Sequence, residues 1–406
     1  MLFGISGIAN TTYGARFPSI RDTLGISSAA VAWIMVVSAV GGLTTITAAG
    51  PAVARYGERI CHRIGTYLQL AAFAIIVAGL QVHSFGLVMA GAAINGMAVS
   101  MVSIPQNTDA AGVERRAGHA MLPKFHGMYG FGCLAGAGSS AVVSSLGIDA
   151  RWHLGIVAAL TCATRLVAIR FSPISQSVAG LAKSQAAASS TLPPGAAPVR
   201  TGTMRAWLEK RTLAIAFLVM CFQAAESAGN NWLTLGVVDG IGASEAVAAA
   251  VFAAFQLAYA LGRWFGAHII DKFGRTKALA GSAVVALVGM GSFCLAPGVV
   301  VIAIGALLWG AGVALSYPAA IGAVSGDPLR APGRVSVVSA IGGVAGWGTP
   351  PTIGWASSFL GLRPAISTLT VLLVVAFGLT RAAAHPQLPM RVYHQSAALY
   401  HRTIHR

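Results

Sequence analysis

Glu226 stands in the stretch Gln223-Ala-Ala-Glu226-Ser-Ala-Gly-Asn230-Asn231-Trp232, inside an apolar run that begins after Arg211 and continues to about Val238. A helix entering a bilayer near Arg211 carries Glu226 about 22 Å inward at ~1.5 Å per residue, past the middle of a hydrocarbon layer of about 30 Å. A carboxylate at that depth costs roughly 2.5–3.5 kcal/mol on insertion scales, so it must face protein or a water-filled cavity. Two kinds of chemistry suit it there: taking up a coupling proton, or accepting a hydrogen bond from a solute hydroxyl. The plainer alternative is a buried polar link to a neighbouring helix. Asn230 and Asn231 add amides that both donate and accept. Trp232 offers either a flat stacking face in a pocket or an anchor at the membrane interface.

The rest of the chain must hold that acid in lipid. Of 406 residues, 56% are hydrophobic and only 9% charged, and the mean hydropathy is +0.73. A soluble protein carries about a quarter charged residues, so the bilayer is the expected solvent. Long unbroken apolar runs, not alternating ten-residue strands, predict helices and exclude a barrel. Twelve spans are expected, at about 1–18, 28–51, 64–82, 85–106, 126–147, 152–171, 212–238, 245–267, 278–296, 298–322, 335–360 and 364–381. The first is short: either helix 1 starts at Met1 or the chain's true start lies upstream. No signal peptide is predicted, since the first residues lack a basic lead and a cleavage site.

Net charge is +16, which in a membrane protein records the excess of Lys and Arg on cytoplasmic loops rather than nucleic-acid binding. With both termini cytoplasmic, Arg55, Arg59, Arg63, Lys272, Arg275 and most other basic residues share one side. The outer side keeps Arg16, Arg21, Arg151 and Arg363, and Arg165 and Arg263 fall within spans. Five widely spaced cysteines without a C-x-x-C pair predict neither a zinc site nor a disulfide framework.

Ser172 to Lys210, rich in Ala, Ser and Pro, reads as a cytoplasmic linker between an N-terminal bundle (1–171) and a C-terminal bundle (211–383), followed by a basic tail (384–406). Trp207 marks a short interfacial helix at the linker's end. The bundles repeat. Leu24-Gly-Ile-Ser-Ser-Ala-Ala-Val-Ala32 matches Ile241-Gly-Ala-Ser-Glu-Ala-Val-Ala-Ala249 at an offset of 217, and Arg55-Tyr-Gly57 falls on Lys272-Phe-Gly274 in the same register. Two halves in one orientation imply a parallel duplication about the membrane normal. The offset sets Glu226 opposite Ala9 and Ser227 opposite Asn10, so Asn10 is expected near the acid's depth.

Gly266-Ala-His-Ile-Ile-Asp271-Lys272-Phe-Gly274-Arg275 resembles the cytoplasmic signature G-x-x-x-D-R-x-G-R-R/K of the major facilitator superfamily; the first-half echo, Gly50-Pro-Ala-Val-Ala54-Arg55-Tyr-Gly57, has Ala54 in place of the acid. Ala15-Arg16-Phe-Pro18, Asn107, Val113-Glu114-Arg115-Arg116 and Leu122-Pro123-Lys-Phe125-His126 resemble the MosC-like bacterial transporters, relatives of fucose permeases. Glu226 to Trp232 occupies the place of their E-G-x-x-x-D/N-W. The resemblance implies secondary transport of a small polar solute, sugar- or polyol-like. The proline motif of drug antiporters is missing from the glycine-rich run Gly130–Gly138. The resemblance also favours Arg263, with Asp271, Lys272, Arg275 and Arg55, as a charge cluster at the inner gate over the alternative of a substrate ligand.

The expected fold is therefore all-α and integral to the membrane, with twelve helices in two pseudo-symmetric six-helix bundles. The solute is expected mid-membrane between helices 1, 4, 7 and 10. Glu226 is the proton-coupling and ligand acid, with Asn10, Asn230, Asn231, Trp232, Gln256 and Asn107 as further solute contacts. Arg16 either pairs with Glu226 or Asp22 as a gate or snorkels outward. Tyr259 is a weaker pocket residue, and His126 is a satisfied helix-start histidine or a titrating group. Asp109 and Glu114 fall in a loop charge network. Gly346-Trp-Gly348-Thr-Pro350-Pro351 is either a hinge or a packing feature. His401 and His405 form a weak metal pattern on a solvated tail, so neither a metal nor a cofactor is expected. The expected setting is the inner membrane, as a monomer, with protons, lipid and solute as partners. The alternatives are a sensor on a transporter scaffold, or an exporter of small amphipathic compounds. With no G-K dipeptide, no H-E-x-x-H and no nucleophile elbow, an enzyme is not expected.

Overall fold

A computed structural model describes residues 1–117, 122–171, 206–324 and 331–384. Most of the 172–210 linker, the tail with His401 and His405, and the side chains of Ala54, Glu114, Arg115 and Arg116 lie outside the described residues. What is described is helical: α1 (Leu2–Ala15), α2 (Phe17–Leu24), α3 (Ser28–Tyr56), α4 (Glu58–Gln81), α5 (Phe85–Ala117), α6 (Leu122–Ser145) and α7 (Ala150–Phe171). After the linker come α8 (Lys210–Ile241), α9 (Glu245–Phe273), α10 (Arg275–Leu295), α11 (Val299–Ala314), α12 (Ser316–Val324), α13 (Ala331–Leu360), α14 (Leu362–Ser367) and α15 (Thr370–Leu379). The membrane face on which α7 ends and α8 begins is called the linker side below; the other is the far side.

Among the described residues, nine of the candidate spans are by length and composition able to cross a bilayer. The other three crossings belong to α1 with α2, α6 and α13. The first crossing is broken at Arg16, where Pro18 sits in the first turn of α2 and cannot continue the α1 hydrogen-bond ladder. Glycine and serine dilute α6 and α13, and both face the centre of the molecule, where small residues permit close packing.

From the end of the first crossing to the start of the third, the duplication holds to the residue. Ser27 caps α3 by accepting from the Ala30 amide, and Ser244, 217 positions on, caps α9 by accepting from the Val247 amide. Gly57 and Gly274 end these helices at φ +83° and +77°, a backbone region that favours glycine. Even the surface contacts repeat: Arg55 lies over the Tyr56 ring at 5.4 Å, and Lys272 over the Phe273 ring at 5.4 Å.

The seventh crossing, α8, is the most enclosed. Its most apolar window is 67% buried, against 33–56% for the other candidate spans, so protein rather than lipid surrounds it. Phe255, Phe293 and Trp309 pack behind it in edge-on and tilted pairs 5.5–5.6 Å apart. Large apolar side chains such as Trp152, Phe171, Leu295, Trp355 and Phe359 point outward, the arrangement a hydrocarbon solvent requires.

Candidate functional site

A cavity of about 540 Å³ opens between the halves, and a second space of about 260 Å³ adjoins it. Asn10, Ser103, Tyr129, Glu226 and Tyr259 border both. The larger cavity is walled by α1, α2, α3, α5, α6, α8, α9 and α13. Helix 10 of the expected set, here α11 with α12, contributes none of its described residues to either space. Its glycine at 310 instead lies so close to the Phe255 backbone that a Cβ would collide there, which seals it behind α9.

Glu226 is the one carboxylate among the described residues lining these spaces. The Tyr259 hydroxyl donates to Glu226 Oε1 at 2.5 Å, and Arg263 Nη2 stands 3.6 Å from Oε2. Tyr259 and Arg263 lie one helical turn apart on α9, so both reach the same acid. The Arg263 guanidinium also covers the Tyr259 ring at 4.5 Å. Glu226 Oε2 and Arg263 Nε have no hydrogen-bond partner, so each keeps capacity for a further bond. The expectation that Arg263 clamps a gate with Asp271 is thereby corrected. Two turns separate them on α9, and Arg263 turns to the cavity while Asp271 is exposed at the linker-side end. Lys272 is likewise exposed, and Arg275 opens α10 half-buried.

Other residues join the acid. Asn10 donates to the Tyr129 hydroxyl at 3.4 Å, and Gln256 donates to Asn230 Oδ1 at 2.9 Å. Asn231 lines the larger cavity but donates its amide to the Ser227 carbonyl at 2.8 Å. Ser227 in turn donates to the Gly346 carbonyl at 2.9 Å, which ties α8 to α13 where Trp347 and Pro350 border the cavity. Asn107 is exposed on the linker side of the smaller space, donating to the Ser103 carbonyl. His126 borders the same space, its ring edge-on to Phe3 at 5.2 Å. Asp109 is buried, 3.6 Å from His62.

Two sequence expectations are overturned. Trp232 is neither pocket-lining nor interfacial: it is fully buried, its ring against Gly354 of α13. Trp232 lines neither of the two spaces. Arg16 does not reach Glu226 or Asp22. It is 1% exposed at the far end of α1, 2.7 Å from Glu245 on α9, and bonded to His153 Nδ1, Ser144 and the Ile148 carbonyl.

Glu245 gathers a knot that the sequence reading missed. It accepts from Arg16, from Ser144 of α6, and from the Ser19 hydroxyl at 2.5 Å. Beside it Arg21 and Ser28 both bond Asp239 at the end of α8. These bonds join the halves on the far side of Glu226. Missed as well were Tyr129, Asn95 and Gln69, because neutral polar residues within a span give weak signals. Arg165 did carry a signal, a charge inside a span, but it was read only for topology.

The profile of the Major Facilitator Superfamily matches residues 1–348. An uncharacterised MFS-type transporter of Yersinia pestis is 23% identical over 393 residues, covering 94% of each chain. Among solved structures, the nucleoside transporter NupG aligns with a TM-score of 0.70 at 14% identity, over 95% of this chain and 98% of its own. A variant of the E. coli fucose:proton symporter FucP aligns with a TM-score of 0.59 at 16% identity, over 95% and 97%. At these identities the structural likenesses show the fold alone.

Proposed function

The chain belongs to the Major Facilitator Superfamily, and on that premise we propose that it is a secondary transporter moving a small polar solute by alternating access, driven by protons. The observation that carries this reading is the placement of Glu226, a lone carboxylate in a cavity between two like-built halves, with one oxygen free of hydrogen bonds. An acid held between a cationic and a phenolic partner has two stable states, ionised on Arg263 or protonated and released from it. Amides on both walls, Asn10 on one half and Asn230 with Gln256 on the other, provide donors and acceptors for a hydroxylated solute.

The bonds of Arg16 and Arg21 to Glu245 and Asp239 close the far side, and the smaller space runs from Glu226 toward the linker side. Alternating access is then the loss of those far-side bonds in exchange for closure near Asn107. The Lys and Arg bias supports a cytoplasmic linker and cytoplasmic termini, with the inner membrane as the proposed setting. The similarity to a nucleoside transporter and a fucose:proton symporter is consistent with a polyhydroxy solute.

The test is solute flux into proteoliposomes under an imposed pH gradient, comparing wild type, Glu226→Gln and Glu226→Ala. Both variants are expected to lose gradient-driven accumulation. Wild-type, pH-responsive accumulation by Glu226→Gln overturns the proton role.

A further inference from the structure

Arg165 is a second cation inside the membrane, beside Arg263, and it belongs to the other half. It lies on α7, six residues before the end at Phe171, which sets it about 9 Å in from the linker-side end at ~1.5 Å per residue. It is 1% exposed. Its Nη1 donates to Gln69 Oε1 at 2.7 Å and its Nη2 to Ser6 Oγ at 3.4 Å, while Nε has no partner. No carboxylate among the described residues pairs with it, and it borders the same 260 Å³ space as Glu226 and Arg263. A buried cation held only by a neutral amide and a hydroxyl is costly unless a counter-charge arrives. In that space two guanidinium groups face one carboxylate, so the wall lacks one negative charge.

We propose that the transported solute supplies that charge: it is a small hydroxylated monocarboxylate, a sugar acid rather than a neutral sugar, with its carboxylate taken by Arg165. This rests on the transport reading above and names its substrate class. A guanidinium presents paired donors that match a carboxylate. Gln69 and Ser6 hold the Arg165 side chain in place, and the amides around Glu226 meet the hydroxyls deeper in.

Binding to the purified full chain is measured by thermal shift and by competition. The probes are D-gluconate and D-glucuronate, against D-glucose, D-glucitol, D-glucosamine and glucose 6-phosphate. Sugar acids are expected to bind and the others to compete poorly. Arg165→Gln is expected to weaken the acids by about 10- to 100-fold, the worth of a charge-assisted bond. Arg165→Lys, keeping charge but not the fork, is expected to retain intermediate affinity; should Arg165→Gln fail to fold, this variant and the wild-type panel decide. Equal binding of neutral sugars overturns the proposal and leaves transport standing, as does equal weakening of neutral and anionic probes in the Arg165 variants. Binding of the phosphate ester alone overturns the carboxylate, and binding of no sugar acid overturns the class. Failure of the transport reading shows separately, as absent gradient-driven flux of every probe in wild type.

Discussion

The two halves share a backbone plan and differ in chemistry. At the offset of 217, serine caps, glycine turns and a cation over an aromatic ring coincide. The cavity walls do not. Glu226 falls opposite Ala9, and Tyr259 opposite Gly42. One half brings an acid already held by a phenol and a guanidinium, and the other brings a guanidinium held by neutral groups. Helix ends are fixed by local backbone geometry, which a duplicated sequence retains for stability. Cavity side chains answer to the occupant, which is not symmetric.

The largest effect is expected where that asymmetry is broken. Arg263→Gln leaves Glu226 with Tyr259 alone, and gradient-driven uptake in proteoliposomes should fall roughly 100-fold, about 3 kcal/mol for one charge-assisted contact. Uptake within a few-fold of wild type would make the two walls functionally alike. Next comes the seam between the halves. Glu245→Gln weakens the bonds from Arg16, Ser19 and Ser144, and should raise the population open on the far side about 30-fold, roughly 2 kcal/mol. Distances between spin probes on α2 and on the α8–α9 turn read that change; an unchanged distribution would remove the knot from the gate. Asp239→Asn touches a more exposed pair at the same seam, and the same probes should report a shift of about 1 kcal/mol or less.

The smallest effect is expected inside one half. The side-chain bond from Arg151 holds the Asp149 carboxyl below its ordinary pKa. That stability is fully present above the unfolded carboxylate pKa and is lost as pH falls through the lower folded value. Asp149 is exposed, so screening holds the effect to below about 0.5 kcal/mol. Acid titration of thermal stability in Asp149→Asn against wild type measures it, and a large difference would show that the loop does more than cap α7.

Much of this architecture was legible because lipid imposes strict rules. Run lengths gave the crossings, and the 217 offset gave the duplication, down to Ser27 with Ser244. The acid at Glu226 was legible for the same reason, since a costly residue must have a purpose. Partners were not. Arg263 shares α9 with Asp271, and linear proximity suggested a pair that the rotation of two helical turns, with one residue in the cavity and one at the rim, does not make. Trp232 sits among polar neighbours in sequence yet turns into the core. Glu245 lies at a helix start, where an exposed acid is ordinary, and only the fold brings Arg16 to it. The match of six spans to six said nothing of which helix stands behind which, so α11 was expected at a wall it does not reach.

Glu226, Tyr259 and Arg263 all ride on α8 and α9, within a single bundle. Rocking one bundle against the other leaves their mutual spacing untouched, unlike the Arg16–Glu245 pair, which straddles the seam. On the proposed mechanism, protonating that acid breaks no bond across the seam, and a solute gripping both walls becomes the strut that relays the change.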